Sequence, residues 1–97
     1  MIEIHVKYYF ENNEKRDAFY KEAKEAGVID ASRAEAGNIR YDYYYPIEEE
    51  KTIFLLEQWK DVSSTEVHNA AEHFAYLQKI KEKFVEKTEI IKYMDVK

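Results

Sequence analysis

Three histidines, His5, His68 and His73, are the side chains best suited to proton or metal chemistry in this sequence. His68 and His73 stand close together in HNAAEH. Helical metal pairs favour a spacing of four, which stacks two imidazoles on one face. On a continuous helix, a spacing of five turns them roughly 140° apart. A third ligand is not evident nearby, because Glu72 is a lone acid and the chain has no cysteine. No metal is therefore expected. His68 follows a stretch carrying Glu57 and Trp59, and two readings stand side by side. In one it is a structural histidine among aromatic rings. In the other it is a general base at the mouth of an aromatic pocket, since imidazole titrates near neutrality and can take a proton from a phenol or an acidic carbon. Which of His68 and His73 would face that pocket is left open by the spacing.

Other chemistries lack their parts. Ser63 and Ser64 read as helix caps, Ser32 falls in a short helix, and no Gly-x-Ser-x-Gly elbow occurs. Gly27 and Gly37 are the only glycines, too few for a phosphate-cradling loop.

The elements that must position these residues follow from periodicity. Ile2, Ile4, Val6, Tyr8 and Phe10 alternate with Glu3, His5, Lys7 and Tyr9, the signature of a half-buried strand. Asn12 and Asn13 offer a helix N-cap, Phe19, Ala23 and Ala26 a helical stripe, and Gly27 a left-handed stop. Asp30 can cap a short helix over residues 31–36, closed by Gly37. A strand is expected over 38–45. In RYDYYYP alternation puts Tyr41, Tyr43 and Tyr45 on one face, and Arg40, Asp42 and Tyr44 on the other. A further strand is expected over 52–60. There Ile53, Leu55, Glu57 and Trp59 share one face and Phe54, Leu56 and Gln58 the other. Both faces are apolar in the middle, so the face away from the helices needs a cover, and a second copy of the chain would supply it. Ser63-x-x-Glu66 fits a capping box, with Val62 and Val67 placed as a hydrophobic staple. Helix is expected from Ser64 to about Val85, broken near Ala71–Glu72, with Phe74, Leu77, Ile80 and Phe84 as its buried stripe. A last strand is expected over 88–96, with Ile90, Met94 and Val96 on one face and Ile91 and Tyr93 on the other. The order β-α-β-β-α-β is the ferredoxin-like α+β plait, a four-stranded antiparallel sheet with helices on one face.

Ninety-seven residues read as one domain spanning 1–97, with little room for both a core and a deep cavity. The net charge of −5 and the lack of a basic face argue against nucleic acid. Lys79, Lys81, Lys83 and Lys87 read as a solvated face near a helix C-terminus. Without cysteine there is no disulfide framework. No leader or long apolar run is seen, so neither secretion nor a membrane is indicated, and a cytoplasmic location is expected.

The ordered set Glu35-x-Gly37, Tyr41, Glu57-x-Trp59-x-Asp61, His68 and His73-Phe74 resembles the antibiotic biosynthesis monooxygenase family. The resemblance implies a ferredoxin-like subunit whose sheet packs on a partner's sheet as a dimeric barrel, with a pocket between helices and sheet. In several branches it implies oxidation of a quinol-like aromatic by O₂ without flavin, haem or metal. On that reading His68 is the base or proton shuttle, and Trp59, Tyr41, Tyr43 and His73 bind substrate. A haem-degrading branch is disfavoured, because residues 1–10 hold no Asn and the corresponding positions are His68 and Gln78. GNIRYD resembles a branch that isomerises a small phosphorylated hydroxy-ketone, for which Arg40 or Lys60 would be the candidate cations. A non-catalytic interaction module is the third reading, favoured if Tyr41, Tyr43 and Phe74 fill the space beside His68.

Overall fold

The computed structural model describes residues 1–95. Its elements are β1 (Ile2–Phe10), α1 (Asn13–Glu25), α2 (Val28–Arg33), β2 (Asn38–Tyr44), β3 (Thr52–Trp59), α3 (Val62–Asn69), α4 (Glu72–Phe84) and β4 (Val85–Tyr93). The strands form one sheet in the order β2-β3-β1-β4, every neighbour antiparallel. This is the expected ferredoxin-like α+β plait.

Alternation sets the two faces. Ile2, Ile4, Val6, Tyr8 and Phe10 all point to the helix side and are buried. In register they meet Trp59, Glu57, Leu55 and Ile53 of β3. Phe19 and Ala23 of α1 and Leu77 and Ile80 of α4 close over them. Phe19 sits between the rings of Tyr8 and Phe10 at 5.2 and 5.4 Å, tilted packing that suits aromatic quadrupoles. The opposite face carries His5, Lys7, Phe54, Leu56, Tyr44 and Ile91, as the pairings His5–Leu56, His5–Ile91, Lys7–Phe54 and Tyr44–Phe54 require.

Several boundaries differ from those the pattern suggests, each for a local reason. Gly27 takes φ +77°, ends α1, and at once offers its carbonyl to Ala31 N (2.9 Å). The next helix therefore starts at Val28, and Asp30 lies in its first turn rather than capping it. Ala26 is exposed. The α3 cap is Asp61, whose Oδ1 accepts from Ser64 N at 2.9 Å, so Ser63 lies inside the helix and the expected capping box is not used. Val62 and Val67 are exposed rather than stapled. The long helix does break, between Asn69 and Glu72. Strand β4 begins at Val85, directly after α4, and pairs with Phe10 across a register shift. Tyr45 and Lys60 lie just past their strands, and Met94 follows β4. Val96, expected in that strand, lies outside the described residues. Of the lysine run, Lys81 is not fully solvated: its ammonium stands 5.2 Å from the centre of the Tyr8 ring.

Candidate functional site

Three chain segments converge on one carboxylate. Glu35 sits in the bend between α2 and β2, held by Glu35 N to Ser32 O (3.3 Å) and Asn38 N to Glu35 O (3.0 Å). His68 is the one buried side chain of α3. His73 lies in the first turn of α4, just beyond the break. Glu35 Oε2 accepts from His68 Nδ1 at 2.5 Å and from His73 Nε2 at 2.8 Å. The break explains how two histidines five residues apart meet. Ala71 is extended at φ −74° and ψ 150°, so the second imidazole is not turned away as a continuous helix would turn it. The third group beside the histidines, which their spacing did not point to, is Glu35, 33 residues from His68.

Aromatic rings fix His68 in place. The Trp59 ring lies 4.6 Å away and tilted by 37°, while Phe74 and Tyr41 present edges at 5.2 and 5.9 Å. Trp59 and Tyr41 are essentially inaccessible to solvent. Tyr43 is one ring farther out. Its hydroxyl is 3.5 Å from that of Tyr41, and it packs on Phe19 and Tyr20 instead of His68. Four of the five expected residues thus gather, and Tyr43 supports them from behind. Tyr44 faces the other side of the sheet, which settles how the tyrosine run divides.

The electrostatics follow from burial. A carboxylate accepts, so the proton shared with Glu35 sits on Nδ1 of His68, leaving Nε2 as the basic nitrogen. Burial lowers the His68 pKa, opposed by the hydrogen bond and the charge of Glu35. Glu35 Oε1 is buried and has no hydrogen-bond partner among the described residues. Beneath Trp59, the indole N–H donates to Glu57 Oε1 at 2.9 Å. Burial pushes Glu57 up to about 7 despite that bond. Desolvation also raises the Tyr41 and Tyr43 phenols well above their usual range.

The loop carrying Glu35 is docked by close approach. A Cβ built at Gly37 would lie 2.0 Å from Ser64 Oγ, so only glycine lets this turn seat on the start of α3. Gly37 O also accepts from Lys60 N at 2.8 Å.

Five concavities of the described residues lie elsewhere, none of them lined by His68, Trp59 or Tyr41. Between helices and sheet, where a pocket was expected, Trp59, Tyr41, His68 and Leu77 are buried. A concavity of about 800 Å³ lies on the outer sheet face among His5, Lys7, Tyr44, Phe54 and Ile91. Arg40 is turned away from His68, bound to Asp42 at 2.7 Å and to the Tyr44 hydroxyl at 2.8 Å, and Lys60 is exposed. Neither cation faces the cluster. No helix among the described residues is long and apolar enough to cross a membrane.

Comparison with known proteins bears on the fold and the family. Over 61 residues the chain is 43% identical to "Putative monooxygenase YcnE" of Bacillus subtilis (strain 168), covering 63% of this chain and 62% of that one. The chain therefore spans less than two thirds of that relative. A conserved protein from Methanosarcina mazei Go1 superposes with a TM-score of 0.85 at 29% identity, over 95% of this chain and 89% of that one. A "Putative antibiotic biosynthesis monooxygenase" from Nitrosomonas europaea shares the fold over the full length of both chains, with a TM-score of 0.86 at 19% identity. The family model described as antibiotic biosynthesis monooxygenase matches residues 1–79, which include Glu35, Trp59, His68 and His73. The chain belongs to the antibiotic biosynthesis monooxygenase family.

Proposed function

We propose that this chain oxidises a small quinol-like aromatic with O₂, the substrate itself supplying the electrons, with His68 as base. Family membership and the likeness to YcnE support a monooxygenase-like function. The observation that carries the finer reading is the shared Glu35 oxygen, which holds His68 in the tautomer whose Nε2 is free to take a proton. His68 deprotonates the phenol. The phenolate passes one electron to O₂, the radical pair combines in a C–O bond, and loss of water from the peroxide leaves a quinone. A hydroquinone and one O₂ thus give a hydroxyquinone and one water. Trp59, Tyr41 and His73 wall the site and keep water out, which strengthens hydrogen bonds to the substrate anion.

Access requires α3 to move. His68 is its only buried side chain, and the helix is held at its start by the Asp61 cap and the Gly37–Ser64 contact. Such a segment opens at lower free energy than the core. A second copy of the chain covers the outer sheet face, where Ile91 and Tyr93 are exposed and Phe54 and Leu56 half-buried. Oxygen-electrode measurements with simple hydroquinones test the reaction. Uptake should occur and fall sharply in His68→Ala, whereas uptake unchanged in that variant removes His68 from the mechanism. The closed packing around His68 favours a second reading, a non-catalytic interaction module, which absence of any uptake would support.

A further inference from the structure

We propose that Glu35, His68 and His73 form a binding site for a first-row divalent cation of the zinc type. Oε2, Nδ1 and Nε2 all lie within 4.8 Å of one another. Two imidazoles and one carboxylate are the donors that such ions take, in a facial set that leaves room for water or another ligand. The three donors come from three separate segments, so the fold and not a local helix spacing assembles them. They are also largely withdrawn from water, with side-chain exposures of 13%, 5% and 22%. Their desolvation is thus already met by folding.

A second observation points the same way. Glu35 Oε1 is buried without any hydrogen-bond donor among the described residues. An acceptor left so costs free energy that a proton-bridged cluster does not recover. A cation beside Oε2 gives the whole carboxylate a countercharge, and Oε1 a place to coordinate or to receive a metal-bound water.

The required rearrangement is on the order of an ångström per ligand. Metal–ligand bonds of about 2.0–2.2 Å place tetrahedral donors about 3.3 Å apart. The present separations of 2.5 and 2.8 Å must widen by about 0.8 and 0.5 Å, and the two imidazole nitrogens, within 4.8 Å of each other, must settle to the same spacing. The Nδ1 proton of His68 moves to its Nε2, and Nε2 of His73 passes its proton to Nδ1, so two neutral imidazoles bind with no net proton lost. Cation binding itself is independent of the proposed oxidation. If that oxidation holds, the two states exclude each other, because a metal-bound His68 carries its proton on the nitrogen the base would use.

Titration calorimetry of the full-length chain with zinc chloride, without substrate, tests this. One ion per chain should bind with a dissociation constant of micromolar order or tighter. His73→Gln and Glu35→Gln should each weaken binding at least about tenfold, since even the outer partners of metal ligands cost about 10- to 100-fold. His5→Gln is the control, because His5 and Glu3 form the other imidazole–carboxylate pair, at 2.8 Å on the sheet face. It should change nothing. His73 is partly exposed, so its variant should fold even if that of Glu35 does not. Visible bands of added Co²⁺ supply a separate readout, intense with these low-symmetry donors and lost in His73→Gln. No binding tighter than about 100 μM, or binding kept in His73→Gln but lost in His5→Gln, overturns the proposal.

Discussion

Replacing Glu57 with Gln should stabilise this protein at alkaline pH and leave it little changed at acid pH. Glu57 is 7% exposed and lies in register between Ile4 and Tyr41. Burial raises its pKa from 4.5 to about 7, against the opposing hydrogen bond from Trp59. The folded state therefore binds more protons than the unfolded chain across that interval, so stability falls as pH rises from about 4.5 to about 7 and is flat above. At about 1.4 kcal/mol per pH unit, ionising Glu57 costs about 3 kcal/mol by pH 8. Gln keeps an oxygen for the indole N–H and removes the charge. The variant should thus match the wild type near pH 5 and exceed it by up to about 3 kcal/mol at pH 8. His68 titrates with the opposite sign: its lowered pKa means stability is lost as pH falls through the region below 6.5. It is present in both proteins and cancels in the difference. Trp59 is the single tryptophan, so urea unfolding followed by its fluorescence at matched protein concentration measures the gap directly. A difference independent of pH, or a variant less stable at pH 8, would refute the assignment of a desolvated carboxyl.

Gly37→Ala should destabilise by about 1–3 kcal/mol, because its Cβ would collide with Ser64. Adding Ser64→Gly should restore part of the loss in a thermal melt, which a purely conformational cost at Gly37 would not allow. Phe54→Lys, on the outer sheet face, should convert the proposed dimer to a monomer by sedimentation at micromolar concentration. A wild type already monomeric there contradicts the sheet-to-sheet arrangement.

The sheet was largely legible in the sequence because period-two alternation assigns each strand residue to a face. Ile2, Ile4, Val6, Tyr8 and Phe10 share one buried face, as do Ile53, Leu55, Glu57 and Trp59, and RYDYYYP divided as its alternation required, although which face met the helices was not given by alternation. Helix ends were less legible, since several residues compete to cap. Asp61, two residues before Ser63, wins because a carboxylate accepts from Ser64 N and from both serine hydroxyls. At the site, Trp59, Tyr41, His68 and His73 were visible as residue types in an ordered pattern. Glu35 stood in the same pattern, but its role as the shared partner of the two histidines was not visible. Glu35 is drawn to His68 by the packing of the α2–β2 turn on α3, a contact between distant segments that no spacing reports. The argument against a histidine pair assumed an unbroken helix, and the break at Ala70–Ala71 removes that premise. The signals that could have pointed to Glu35 were its place beside Gly37 in the family pattern and the expected break itself.

On the proposed function, Glu35 and His68 act together as the base for oxidation of a phenolic substrate by O₂. Oxygen uptake with a hydroquinone series, in ¹⁸O₂ and with wild type, His68→Ala and Glu35→Gln compared at equal folded concentration, tests it most directly. The account predicts uptake by the wild type with one labelled atom in the product, and strong loss in both variants. Uptake equal in all three proteins, or product without label, would contradict it.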